Sequence, residues 1–202
     1  MKTVLVVDCC IRQEESRTRK ILQAFLAHLS GYNVERVDLC TMPPQPLNGS
    51  FFEERQQLLQ NHNLQHPRFH LAHQFAKADH IVMAAPFYDL SFPALLKIYI
   101  ENVSVDGITF RSGENGVTGI CRAEELLFLT TRGGIYHAHE DEQASPYLKA
   151  LCRFFGILNF HMIDADGMDI VGYDQEGSLA DAIRRAHAYA RQLTDKVSAS
   201  HD

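Results

Sequence analysis

The chain lacks the positive charge that binding a nucleic acid draws on. It carries 19 Lys and Arg against 25 Asp and Glu, a formal net charge of -6, whereas phosphate-backbone recognition uses clustered basic residues. A long hydrophobic run is also missing at the N-terminus, where one Lys and a short apolar stretch end at Asp8. That stretch is too brief for a signal-peptide core or a membrane span, so a soluble cytoplasmic protein without a membrane partner is expected. The five cysteines, Cys9, Cys10, Cys40, Cys121 and Cys152, fall at irregular spacing. They form neither a disulfide framework nor a CxxC pair, which leaves reduced thiols packed as small hydrophobes.

Several chemical signatures are absent as well. There is no Walker A sequence, Gly-rich dinucleotide fingerprint, HExxH pattern or internal repeat, so nucleotide binding through those loops has no support. His62, His66, His70 and His73 stand at intervals that can align on one helix face. Pro67 interrupts the set, and no metal site is expected from it or from His137-Ala138-His139.

What the sequence does contain is a core: 46% of its 202 residues are hydrophobic, and a chain of this size buries roughly 70% of its unfolded surface. One domain over 1–202 is expected. Lys2 to Val7, Ile81 to Ala85 and Leu126 to Thr130 are apolar runs typical of strands buried on both faces. Val34 to Leu39 alternates, and Phe160 to Ile163 adds a fifth strand-like segment. Between them lie helical patterns from Ser16 to Leu29, after Pro93, and from Tyr147 to Phe155, with a long amphipathic one from Leu179 to Val197. Two weaker helical patterns flank Pro67, and an irregular insert holds Thr109, Phe110 and Arg111. Strands alternating with helices predict an α/β doubly wound sheet of five parallel strands, order 2-1-3-4-5, with helices on both faces. Ligands then bind at the carboxyl ends of the strands.

Those ends carry unusual residues. After strand one, Ser16, Arg17 and Thr18 open a helix whose free N–H groups and dipole favour an anion, although Ser16 also reads as an ordinary N-cap. After strand three, Pro86-Phe87-Tyr88-Asp89-Leu90-Ser91-Phe92 suits a flat ring lying against aromatic faces, or equally a loop packed into the core. After strand four, Thr131-Arg132-Gly133-Gly134 lets backbone approach a ligand closely, or forms a tight turn. Tyr136 and His137 follow as candidate catalytic proton donors.

The run APFYDLSFPALLKIYIENVSVDGITFRSGENG, followed by TTRGGI, resembles the FMN-dependent NADH-azoreductase and NAD(P)H quinone oxidoreductase family in its bacterial, flavodoxin-like branch. The similarity covers most of the chain and is loosest in the first helix and from Pro43 to Pro67. It implies that Ser16, Arg17 and Thr18 hold the FMN phosphate. It implies further that Pro86, Phe87, Tyr88, Asp89 and Leu90 hold the isoalloxazine, and that Thr131, Arg132, Gly133 and Gly134 close around its polar edge. Cys10 and Asp89, where many members have Ser and Asn, are carried over as flavin contacts of altered chemistry.

The resemblance also implies a homodimer whose sites are completed by the partner subunit. The expected activity is ping-pong hydride transfer from NADH or NADPH through FMN to a small aromatic acceptor, a quinone or an azo compound. The alternative is a flavodoxin-type electron carrier without its own turnover. The long segments after strands two and four, which give material for a substrate pocket, favour the enzyme.

Overall fold

Apolar, β-branched segments that can be buried on both faces form the middle of the sheet, and amphipathic helices cover it. The computed structural model describes residues 1–136 and 139–199. Its elements are β1 (Lys2–Asp8), α1 (Arg17–Ala27), β2 (Tyr32–Asp38), α2 (Gly49–Gln60), α3 (His70–Lys77), β3 (His80–Ala84), α4 (Ala94–Val103), β4 (Phe110–Gly113), β5 (Gly116–Gly119), β6 (Glu125–Thr131), α5 (Ala144–Phe155), β7 (Asn159–Ala165) and α6 (Gln175–Ala199). Short 3₁₀ turns occupy Gln13–Glu15 and Pro67–Phe69. Pro93 precedes α4 as its N-cap residue, one position ahead of the expected first turn.

Five parallel strands pair in the order β2-β1-β3-β6-β7. The expected order 2-1-3-4-5 is corrected here, because the insert holding Phe110 and Arg111 contributes an antiparallel hairpin, β4 and β5, which forms its own two-stranded sheet. Both hairpin strands are four residues long and mostly exposed. They therefore lack the apolar alternation by which a strand is read. Gly119 ends the hairpin against the C-cap of α5, where a Cβ would lie 2.0 Å from the Gly156 nitrogen.

Side-chain alternation divides the core into two layers. Leu5, Val7, Ile81, Met83, Leu126 and Phe128 face α3, α4 and α5 through Phe75, Tyr99, Leu148 and Phe155. Val4, Val6, Val82, Leu127 and Leu129 face α1 and α6 through Ile21, Phe25, Ala186 and Leu193. Helices thus cover both faces, as the buried-run pattern of β3 and β6 requires. Because all five strands run in parallel, the loops after β1, β3, β6 and β7 emerge along one edge. Among the described residues, no helix is long and apolar enough to cross a membrane.

Candidate functional site

At that edge the loop after β1 is organised by one buried carboxylate. Asp8 is fully buried, and its carboxylate lies 3.0 Å from Arg19 and 2.5 Å from Arg36. The Cys10 N–H donates to it at 2.9 Å. Burial by itself would raise the Asp8 pKa. Hydrogen bonds from Cys10 and Arg36, together with the charge of Arg19, outweigh burial and hold the carboxyl below its ordinary value. Arg19 also reaches Asp38 at 3.0 Å, Gln13 at 2.7 Å and Glu14 at 3.3 Å. Its guanidinium therefore ties the 3₁₀ turn down in front of α1. Glu15 pairs with Arg12 at 3.3 Å, so both acidic residues before the helix meet a cation, Glu14 sharing Arg19 with Asp8 and Asp38.

Ser16 is the N-cap of α1, and its Oγ accepts the Arg19 N–H at 3.2 Å. The Arg17 and Thr18 N–H groups stand in the first turn, where the helix offers no carbonyl to receive them. Thr18 is buried, with its hydroxyl 2.8 Å from that of Thr131, so the first loop is linked to the end of β6. The half-exposed Arg17 crosses to Asp169, beyond β7, at 3.0 Å.

The loop after β3 is held by Phe87 N–H donating to the Thr131 carbonyl at 3.0 Å. It then turns sharply, with Tyr88 and Ser91 bridged and Asp89 and Leu90 both left-handed at φ 50° and 67°. Tight hairpins of this kind favour Asn-Gly at the two central positions. A Leu at one of them stores about 1–3 kcal/mol of backbone strain.

Arg132 is almost completely buried. Its Nη1 is 3.0 Å from Asp164 and 3.1 Å from Asp166, and its guanidinium lies 5.8 Å above the Phe87 ring. The chain beyond β6 then pairs with the chain beyond β7: Met168 N–H donates to the Arg132 carbonyl, Asp169 to Gly133 and Gly167 to Gly134, at 2.9 to 3.0 Å. Tyr136 packs against Phe87 with ring centroids 4.7 Å apart and the rings tilted by 48°, and its N–H donates to Asp166. His137 lies outside the described residues.

These loops border an open cleft at the strand ends, the place where ligands bind in sheets of this kind. It is lined by Arg12, Glu15, Ser16 and Arg17 from the first loop and by Pro86, Phe87 and Tyr88 from the second. Thr131, Arg132 and Gly133 come from the third, and Met168 and Asp169 from the loop after β7. Thr18, which is buried, and the partly exposed Gly134 are not part of this lining, and Asp89 borders a second, more apolar cleft with Ile11, Phe92, Leu95 and Tyr147; Tyr88 belongs to both clefts. Leu90 sits at the exposed tip of its turn, and Cys10 lies in the core under α1, where burial pushes its thiol pKa up. Arg12, Glu15, Met168 and Asp169 were not among the residues expected from sequence. The last two follow a strand end that carries no aromatic or Gly-Gly signal.

The histidines around Pro67 have structural partners. The His66 ring accepts from the Arg68 N–H, and the rings of His70 and His73 lie 3.1 and 2.7 Å from the carbonyls of Pro67 and Leu64. Among the described residues, no group of three His, Cys, Asp or Glu could hold a metal ion.

The Asp8 cluster makes stability depend on pH in one direction. A carboxyl whose folded pKa is depressed stabilises the fold above its unfolded value of 3.8, and the contribution is lost as pH falls through the lower folded value. Asp8→Asn is expected to cost about 3 kcal/mol at pH 7, because it leaves the buried Arg19 short of a partner. The gap to the parent protein in urea unfolding should narrow below pH 4, and a gap that is constant across pH would contradict this account.

Comparison with known proteins gives a consistent answer. The family model described as Flavodoxin-like fold matches residues 2–190. The FMN-dependent NADH:quinone oxidoreductase of Clostridium perfringens (strain SM101 / Type A) is 32% identical over 203 residues, covering 96% of this chain and 100% of that protein. FMN-dependent NADH:quinone oxidoreductase 2 of Clostridium acetobutylicum is 42% identical over 125 residues, which is 60% of this chain and 62% of the relative. The crystal structure of an azoreductase from Bacillus anthracis str. Sterne matches in fold with a TM-score of 0.84 at 24% identity, over 95% of this chain and 100% of that one. By its matched span and full-length relatives, the chain belongs to the flavodoxin-like family that contains the FMN-dependent NADH:quinone oxidoreductases.

Proposed function

We propose that this protein is an FMN-dependent NADH oxidoreductase that passes two electrons to a small aromatic acceptor, a quinone or an azo compound. The observation that carries this reading is the convergence, in one cleft, of a helix N-terminus with free donors and a loop of aromatic and glycine-bearing backbone. The residues present fit the cofactor. The unpaired N–H groups of Arg17 and Thr18, the Ser16 hydroxyl and the Arg17 guanidinium are suited to a phosphate. Pro86, Phe87, Tyr88 and Gly133 are suited to a planar ring. Bound there, FMN would supply the hydride and two-electron chemistry that the side chains cannot.

The chain's own residues orient and shield. Arg132, held by Asp164 and Asp166, places its guanidinium over the Phe87 ring, and the Gly133 backbone is held by the Asp169 N–H. Tyr136, packed against Phe87, is the proposed proton donor to the departing acceptor, with His137, next in sequence, as the other candidate. An electron carrier without turnover is not favoured, since the second cleft beside Tyr88 offers room for an acceptor and the full-length relatives are named as enzymes.

We further infer a homodimer, with the second cleft at or near the contact. Ile11, Tyr88 and Leu90 are 38%, 39% and 42% exposed around it, an apolar rim of the kind that marks an interaction site. Sedimentation should give twice the chain mass, and a monomer at all concentrations would overturn the inference.

The purified protein is expected to bind FMN and to bleach when mixed with NADH. Initial rates with NADH and a benzoquinone should give parallel double-reciprocal lines; a colourless protein that takes up no FMN would refute the proposal. Tyr136→Phe should lower turnover by about 100-fold, near the lower end of what a positioned acid supplies, while FMN affinity stays the same. Unchanged turnover would remove Tyr136 from the mechanism.

A further inference from the structure

The cleft contains a carboxylate that a site for an anion would be expected to exclude. Asp169 lies among the residues proposed to meet the cofactor's phosphate, with its side chain 76% exposed and 3.0 Å from Arg17. Its backbone is held at the cleft: its N–H donates to the Gly133 carbonyl at 3.0 Å. The missing side chain at Gly133 leaves the room it occupies, for a Cβ there would come within 2.5 Å of Asp169 Oδ2. The other acidic residue of the cleft, Glu15, is paired with Arg12. Arg17 is thus shared between one carboxylate already present and any anion that enters.

We propose that Asp169 is a positioning residue that draws Arg17 across the mouth of the cleft and competes with the phosphate of FMN for its guanidinium, thereby keeping the cofactor exchangeable. This rests on the FMN reading above. An exposed pair of this kind contributes about 0.2–1 kcal/mol, enough to shift an affinity severalfold but not to block binding. The carboxylate acts on the phosphate through Arg17, so its influence must vanish for a flavin without a phosphate and must shrink when Arg17 is removed.

The test is titration of the flavin-stripped full chain with FMN and with riboflavin, which lacks the phosphate. Asp169→Asn is expected to bind FMN about three- to fivefold more tightly and to release it more slowly, with riboflavin affinity unchanged. Combined with Arg17→Ala, the substitution should have at most a small residual effect. Equal changes for both flavins, no change for FMN, or an undiminished effect in the Arg17→Ala background would each overturn the proposal. Failure of the unsubstituted protein to prefer FMN over riboflavin would instead strike the phosphate site itself, so the two readings fail in distinguishable ways.

Discussion

A negative charge buried at the end of β1 constrains everything at the working edge of this molecule. Asp8 cannot be left alone in the core, where an unpaired carboxylate is costly, so Arg19 and Arg36 must come to it. Arg19 sits on the first turns of α1, and meeting Asp8 fixes how that helix approaches the sheet. The same guanidinium reaches Asp38 at the end of the neighbouring strand and Gln13 and Glu14 in the preceding turn. Buried ion pairs often add little net stability. We read this one as a device of geometry: it points the open end of α1 into the cleft and draws Glu14 toward a cation.

The sheet was legible in the sequence because its central strands are buried on both faces, and such strands write themselves as continuous apolar runs. Three of the loops that build the cleft followed from strand-end logic alone. What the sequence hid were features set by distant partners. Arg132 reads as a ligand beside two glycines, yet its charge is consumed by Asp164 and Asp166, 32 and 34 residues away. Asp169 gains its place from Arg17, at a separation of 152 residues. The β4 and β5 hairpin escaped because short exposed strands leave no periodic mark. Cys10 was open to a better reading: continuing the alternation of Val4, Val6 and Asp8 puts its side chain under α1.

The two halves of the cleft are built to different standards of rigidity. On the anion side, the Thr18 to Thr131 contact, the Arg19 cluster and the paired backbones beyond β6 and β7 lock three loops to one another. On the ring side, Tyr88 and Leu90 project from a strained turn whose tip is held by one backbone bond, from Gln143 N–H to the Leu90 carbonyl. Preorganised donors lower the cost of receiving an anion, because they need no rearrangement to meet it. An exposed apolar turn suits molecules that come and go. The division places the fixed contacts deep at the strand ends and the adjustable ones at the rim, so the anion side is shaped before any ligand arrives while the ring side can adapt to what enters.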